Sequence, residues 1–409
     1  MINVKLKQCS EGELGLKTRN LILQSRSKIV ETPLRVATQY EIKRKRCVPT
    51  QITIDNEVIL HAEPVIRLES FLHKDNYLYK KISSFETLHG DLNEIHGLII
   101  PCLWPTNAVI EELSKSEKIL DRFLNIIATM FTQSEADFDY EVVGIPPFKI
   151  PFGNYSAILR KLKRHFENYG ISIVPMFLLD ENFEKLVRFS VEVLGINLIG
   201  FRYGAVKMHL TKYLLVRHEY ADKDIAFLSV NCDRVDNLEV RDFAIMHYLP
   251  FLGADLIASK IGPFAVVERD ERYNFRFRIM LREELRAPII TQTSDEKRRQ
   301  AFNELGAKLT DPVIGPMLNI LTDSLKFETM KKKIVGLMES EDKEERREGE
   351  ELYERMYSLT RIQELKASTE EFEDMRNFTK RDELNEYLDI RPSLKKVAKN
   401  LGVLNLYMA

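Results

Sequence analysis

The chain has 409 residues, 44% hydrophobic and 30% charged, which is enough to bury a full-sized core and carry an appended domain. Its 60 Lys and Arg stand against 62 Asp and Glu, a net charge of -2. That balance excludes a globally basic nucleic-acid binder and leaves any such contact to local patches. The opening MINVKLKQCSEGELG lacks the apolar core of a signal peptide, and no apolar run reaches membrane-spanning length, so a cytoplasmic protein with no membrane contact is expected.

In chain order, residues 1 to about 138 hold β-rich stretches such as NLILQS and QITIDNEVIL, then a helical stretch from Ala108 to Phe131. This part is expected to supply a β-layer and the first strands of a larger sheet. From Asp139 to Arg269, short β-branched runs alternate with amphipathic stretches, the pattern of a parallel sheet. EVVGI (Glu141 to Ile145) precedes a predicted helix from Tyr155 to Tyr169, and ISIVPMFLL (Ile171 to Leu179) precedes one from Phe183 to Leu194, closed by Gly195 at a C-cap position. INLIGF (Ile196 to Phe201) precedes a helix near Leu210 to Tyr220; IAFLSV (Ile225 to Val230) precedes one near Asp242 to Leu252; ADLIAS (Ala254 to Ser259) ends the series. Near-continuous apolar runs are what strands buried on both faces require.

Such a series fits a closed barrel or a doubly wound sheet. No Gly-rich phosphate loop follows any strand, which counts against dinucleotide binding, and no cofactor is implied. In a barrel, chemistry sits at the strand C-terminal ends. The residues to inspect are then Gly144 to Phe148, Leu179 to Glu181, Gly200 to Val206, Asn231 to Arg234 and Ala258 to Gly262. Beyond Glu283 the chain reads as helical and strongly charged, DKEERREGEELYERM being a solvated face with i,i+4 ion pairs. The expected organisation is therefore residues 1–283 and a helical C-terminal region, residues 284–409.

The four cysteines, Cys9, Cys47, Cys102 and Cys232, form no CxxC, and no histidine has a second His or Cys at ligand spacing. Neither a disulfide framework nor a metal site is expected. Basic candidates for phosphate contact are Lys43, Arg44, Lys45 and Arg46, which equally fit a solvated turn; Lys161, Lys163 and Arg164; and Arg272, Arg276 and Arg278, interleaved with Tyr273, Phe275 and Phe277. The alternation in YNFRFR suits a strand with arginines on one side.

The segment Gly15 to Lys43 contains Val30-Glu31-Thr32-Pro33 followed by Thr38, and Leu252 to Phe275 contains Gly253, Asp255, Arg269, Asp270, Arg272 and Tyr273 in that order. These resemble two segments of the tRNA-guanine transglycosylases: a β-hairpin leading into V-E-T-P, and G-x-D-x-x-D followed by a basic and aromatic run. Between them, INLIGFRYGAV keeps Gly200 and Gly204 of a glycine-rich base-binding loop, and ISIVPMFLLDENFEKL stands where the family carries its V-Q-G segment. The resemblance spans Gly15 to Tyr273 and implies an α/β fold, a parallel (β/α)8 TIM-type barrel with an N-terminal β-rich segment and a helical C-terminal extension.

That family's reaction uses two carboxylates, a nucleophile and an acid/base partner. At the corresponding positions this chain has Gly144 and Ala258, and Pro101 to Thr106 replaces the D-S-G-G-F-Q base-recognition loop. No cysteine follows Cys232 and no histidine follows His247, so the family's structural zinc site has no ligands here. The resemblance thus implies a non-catalytic or repurposed relative, its base-pocket-like positions being Gly144, Gly200, Gly204 and Ala258. Such a chain binds tRNA or another nucleic acid, with a catalytic partner subunit or as a homodimer, in 7-deazaguanine modification. The alternative is an active base-exchange enzyme on tRNA or DNA with a relocated nucleophile. Asp255 and Asp233 are the candidates, with Asp180 and Glu268 also near strand ends. Asp255, near the start of its strand, equally suits an anchor for the lower barrel, and Asp233 a helix N-cap.

Overall fold

The computed structural model describes residues 2–11, 17–26, 28–38, 58–73, 78–85, 98–132, 140–203, 209–232, 236–238, 241–243, 254–259, 276–278 and 289–291, with isolated positions between 333 and 349. The chain opens with three antiparallel strands, β1 (Asn3–Glu11), β2 (Lys17–Gln24) and β3 (Ile29–Glu31), in that order in one sheet. The barrel strands follow: β4 (Leu34–Thr38), β5 (Val58–Val65), β6 (Leu98–Pro105), β7 (Val142–Ile145), β8 (Ser172–Leu178), β9 (Leu198–Arg202) and β10 (Ala226–Cys232). After a short hairpin of β11 (Asp236–Leu238) and β12 (Arg241–Phe243), β13 (Leu256–Ser259) pairs in parallel with both β10 and β4 and closes the ring. Eight parallel strands in sequence order make this a (β/α)8 barrel.

Two apolar shells follow from the period of two along each strand. Val58, Leu60 and Ala62 of β5, and Leu98, Ile100, Cys102 and Trp104 of β6, belong to the cluster filling the barrel. Their neighbours Val65 and Leu103 belong to the layer between strands and helices. The helices are α1 (Leu68–His73), α2 (Asn107–Ser114), α3 (Glu117–Thr132), α4 (Phe152–Glu167), α5 (Phe183–Arg188), continued by a π turn at Phe189–Val193, and α6 (His209–Glu219). A further helical stretch covers 78–85. In α3, Leu120, Phe123, Leu124, Ile127 and Phe131 recur at three- and four-residue spacing and are buried against the strands. Thr106 caps α2, its hydroxyl accepting from the Val109 amide, which separates α2 from β6. No helix of the described residues is long and apolar enough to cross a membrane.

The N-terminal sheet covers the end of the barrel where strands begin. Ile2, Val4, Leu21, Leu23 and Val30 join the interior cluster. The Ile2 amide donates to Ser172 Oγ at 2.9 Å, the Leu6 amide to Asp224 Oδ1 at 2.6 Å, and the Arg26 amide to Glu141 Oε2 at 2.5 Å. Each acceptor belongs to a residue at or just before the start of β8, β10 or β7. With that end plugged, only the strand C-terminal ends are left to form a mouth.

The expected β and α segments between Glu141 and Tyr220 all occur, and Gly195 takes φ 64 at the helix end as its C-cap position requires. Two expectations need correction. The helical stretch from Ala108 to Phe131 is two helices, α2 and α3. The helix expected from Asp242 begins in β12, because Arg241–Phe243 pairs with Asp236–Leu238, and three residues are too few for a helical period to be told from strand alternation. Arg276–Arg278 is a strand, β14, as the YNFRFR alternation predicts, and it pairs antiparallel with β15 (Ile289–Thr291).

Candidate functional site at the barrel mouth

Strand register places the interior positions nearest the mouth. Cys102 pairs with Gly144, Gly144 with Val174, Met176 with Gly200, and Leu178 with Arg202. Gly144, Met176 and Gly200 therefore line the barrel below Trp104 and Arg202, each two residues further along its strand than Cys102 and Gly200. Thr38, Val230 and Ala258 end the interior rows of β4, β10 and β13 and are buried.

The two glycines are dictated by packing. A Cβ on Gly144 would meet the Cys102 Cβ at 2.8 Å and the Met176 Cε at 2.9 Å, and one on Gly200 would meet the Met176 Cγ at 2.7 Å. Met176 thus fills the volume in front of both, and a carboxylate cannot be seated at residue 144 while that methionine and Cys102 keep their places. Burial pushes the Cys102 thiol far above its usual range, so it sits there as a small neutral hydrophobe. Behind this wall the Tyr155 hydroxyl, on α4, lies 3.3 Å from the Pro146 carbonyl and 3.2 Å from the Met176 carbonyl, tying the ends of β7 and β8 together. Burial above all holds it un-ionised.

Arg202 is the charged group of the described interior mouth. It shares the parity of Leu198 and Gly200, which face into the barrel, and its guanidinium carbon lies 5.4 Å from the ring centroid of Trp104, three strands away on β6. Trp104 is buried. Among the described residues Arg202 Nη1 is buried with no hydrogen-bond partner, and burial lowers the Arg202 pKa from its usual value. A cation over an indole gains about 0.5–2 kcal/mol, which does not replace the acceptor that the buried Nη1 of this half-buried side chain has lost.

The sequence candidates fall as follows. Gly144 and Gly200 face the same methionine, Met176, and Ala258 belongs to the interior cluster on β13. Asp255 does not: it precedes β13, at the closed end, and is 2% exposed. There it takes Arg19 Nε on Oδ1 at 3.0 Å and Arg19 Nη2 and the Phe227 amide on Oδ2 at 2.9 and 2.8 Å. The catalytic alternative for Asp255 is corrected by this placement, the carboxylate being at the opposite end from the mouth. Asp180 accepts from the Asn182 amide at 2.8 Å and so shapes the turn into α5. Arg276 lies in β14. Gly204, Asp233, Glu268, Arg272 and the run Lys43, Arg44, Lys45, Arg46 lie outside the described residues.

Arg202 and Trp104 fall within the sequence ranges Gly200 to Val206 and Pro101 to Thr106, but residue type alone does not pair them. The available signal is a lone arginine ending an apolar run, in phase with interior residues two and four positions earlier. A second polar group, His61, Glu63, Lys81 and Ser84, is easily mistaken for chemistry. Glu63 takes His61 Nε2 at 3.1 Å, Lys81 Nζ at 3.0 Å and the Ser84 hydroxyl. Residues 61 and 63 have the outward parity of β5, so the group bonds that strand to the 78–85 helical stretch and lies outside the barrel.

No protein-family profile and no curated protein matches the chain. Among solved structures it is similar to a malate synthase from Haloferax volcanii, at 8% identity over 72% of this chain and 96% of that one, TM-score 0.38. It is also similar to a fructose-bisphosphate aldolase from Campylobacter jejuni (10%, 84% and 88%, TM-score 0.34). A third is a dihydrodipicolinate synthase from Oceanobacillus iheyensis (11%, 79% and 96%, TM-score 0.31). Likeness at this level carries no inference about activity, and the fold rests on the closed ring of strands itself.

Proposed function

We propose that this chain is a transglycosylase-like barrel that binds tRNA without exchanging its bases, working in the cytoplasm beside a catalytic subunit or a second copy of itself. The observation that carries the reading is the chemistry of the mouth. Where the resemblance calls for two carboxylates, the described interior presents Gly144 and Ala258, with Met176 and Cys102 filling the space before Gly144. A nucleophile and an acid/base partner are both needed for exchange, and the described mouth holds a cation instead. Further support comes from the N-terminal part: a β-hairpin, then Val30 and Glu31 in β3, then Thr32-Pro33 entering the first barrel strand. That is the order the resemblance implies. A guanidinium beside an aromatic ring also suits phosphate and base contacts.

The test is incubation of the purified chain with labelled guanine and tRNA transcripts, and in parallel with duplex DNA, together with fluorescence-anisotropy binding of the same tRNA over a range of salt. No incorporation is expected, with tRNA binding that weakens as salt rises. Guanine incorporation that is lost in Asp233→Ala would establish a relocated nucleophile and overturn the proposal. So would the absence of any tRNA binding at low salt.

A further inference from the structure

We propose that Arg202 and Trp104 form an oxyanion-binding site at the barrel mouth, which takes the phosphate or carboxylate group of a small ligand. The inference does not depend on the tRNA reading and names a ligand chemistry for a pair of residues that the resemblance leaves without a role.

Among the described arginines, Arg19 and Arg202 lie at opposite ends of the barrel, and their surroundings differ. Arg19, at the closed end, meets both oxygens of Asp255 and the carbonyls of Tyr220, Ala221, Lys223 and Ile225. Its donors are answered by the protein itself. Arg202, at the open end, meets the Trp104 ring, and its buried Nη1 has no acceptor among the described residues. Of the described interior positions nearest the mouth, Gly144, Met176, Gly200, Val230 and Ala258 have no side-chain oxygen, and Thr38, on β4, supplies a hydroxyl that does not answer the Arg202 Nη1.

A buried donor without an acceptor keeps its full capacity for one. The guanidinium is a planar fork whose paired N–H groups match the oxygens of a phosphate or carboxylate. The indole against the guanidinium restrains the long arginine side chain, so less freedom is lost on binding. The apolar wall of Met176 and the glycines strengthens an ionic hydrogen bond by excluding water. Arg202 Nη1, buried without an acceptor at the end of the barrel where strands terminate, is placed where the oxygens of a ligand complete it.

The experiment uses the full chain and its one tryptophan, which is Trp104 itself, so intrinsic fluorescence reports on the site. Titration with inorganic phosphate, acetate and guanosine monophosphate at constant ionic strength, with chloride as the control, is expected to give a saturable change for at least one oxyanion. Arg202→Met, which keeps the stem but not the fork, should weaken half-saturation at least tenfold. Arg202→Lys, which keeps the charge, should weaken it about three- to tenfold. The oxyanion with the lowest half-saturation identifies the class of group. No saturable response to any of the three, an unchanged response in Arg202→Met, or wild-type affinity in Arg202→Lys overturns the site as described. Circular dichroism of both variants separates loss of binding from loss of fold. A chain that binds oxyanion but no tRNA keeps this site and removes the tRNA reading; one that binds tRNA and no small oxyanion does the reverse.

Discussion

Arg19 holds Asp255 in a bidentate grip, Nε to Oδ1 at 3.0 Å and Nη2 to Oδ2 at 2.9 Å, with the guanidinium 0% and the carboxylate 2% exposed. The pair joins the second strand of the N-terminal sheet to the last strand of the barrel, 236 residues apart. It turns the acid that most resembles a catalytic residue into a lock on barrel closure.

Removing one partner of such a pair leaves the other charge buried and alone, at a cost of about 3–5 kcal/mol. Asp255→Ala and Arg19→Met are each expected to lower the unfolding free energy by that amount, measured by chemical denaturation. The double variant should lose clearly less than the sum of the two, since the stranded charge is then gone. Loss of ligand binding in Asp255→Ala with unchanged stability is the outcome that would return this residue to the functional site.

Gly144→Ala places a methyl group 2.8 Å from Cys102 Cβ and 2.9 Å from the end of Met176. Overpacking of this kind costs about 1–3 kcal/mol, while Met176→Ala alone opens a cavity worth about 2–5 kcal/mol. Because the two changes meet in the same volume, the Gly144→Ala/Met176→Ala protein should be more stable than additivity predicts. Strict additivity in thermal or denaturant unfolding would show that Met176 does not fill the space before Gly144.

Arg202→Met should behave opposite to Arg19→Met. Its guanidinium leaves a buried donor unanswered, so replacing it with an apolar side chain of similar length is expected to raise stability by about 1 kcal/mol in ligand-free buffer. The thermal midpoint, read without phosphate or nucleotide, checks this. A midpoint lowered by several degrees would mean that the arginine is a structural residue.

The acid limb of stability should carry the mark of Glu63. Burial disfavours its charge, but hydrogen bonds from His61, Ser84 and Lys81 and the Lys81 charge outweigh it and hold the carboxyl well below its ordinary value of 4.5. With the folded-state value below the unfolded one, the contribution is complete above about pH 4.5 and is lost as pH falls towards the folded-state value. Glu63→Gln should lower stability at pH 7 and flatten its decline between pH 5 and pH 3, roughly the window set by linkage. Parallel acid limbs in the two proteins would remove Glu63 from the account.

Much of the barrel was legible because its signal is local. VVGI, SIVPMFL, LIGFR and AFLSVNC are continuous apolar runs set between amphipathic stretches, and each became a parallel strand. The hairpin at Asp236–Leu238 and Arg241–Phe243 was not legible, since its pairing competes with a helical period over too few residues to tell them apart. Arg202 lies within the strand-end range Gly200 to Val206, but nothing in the sequence distinguishes it there, for a related reason. An arginine at a strand end is common, and its meaning came from Trp104, which is 98 positions away in sequence and 5.4 Å away in space.

The succession of strands and helices from Glu141 to Tyr220, the glycines at 144 and 200 and the want of a carboxylate at 144 and 258 are properties of the sequence alone, because they depend on residue type and on periods of two and 3.6. Tertiary structure decided which acid faces where. A strand has two ends and two faces, and only the closing of the ring sent Asp255 down to Arg19, turned His61 and Glu63 outward, and brought Arg202 across the barrel to Trp104.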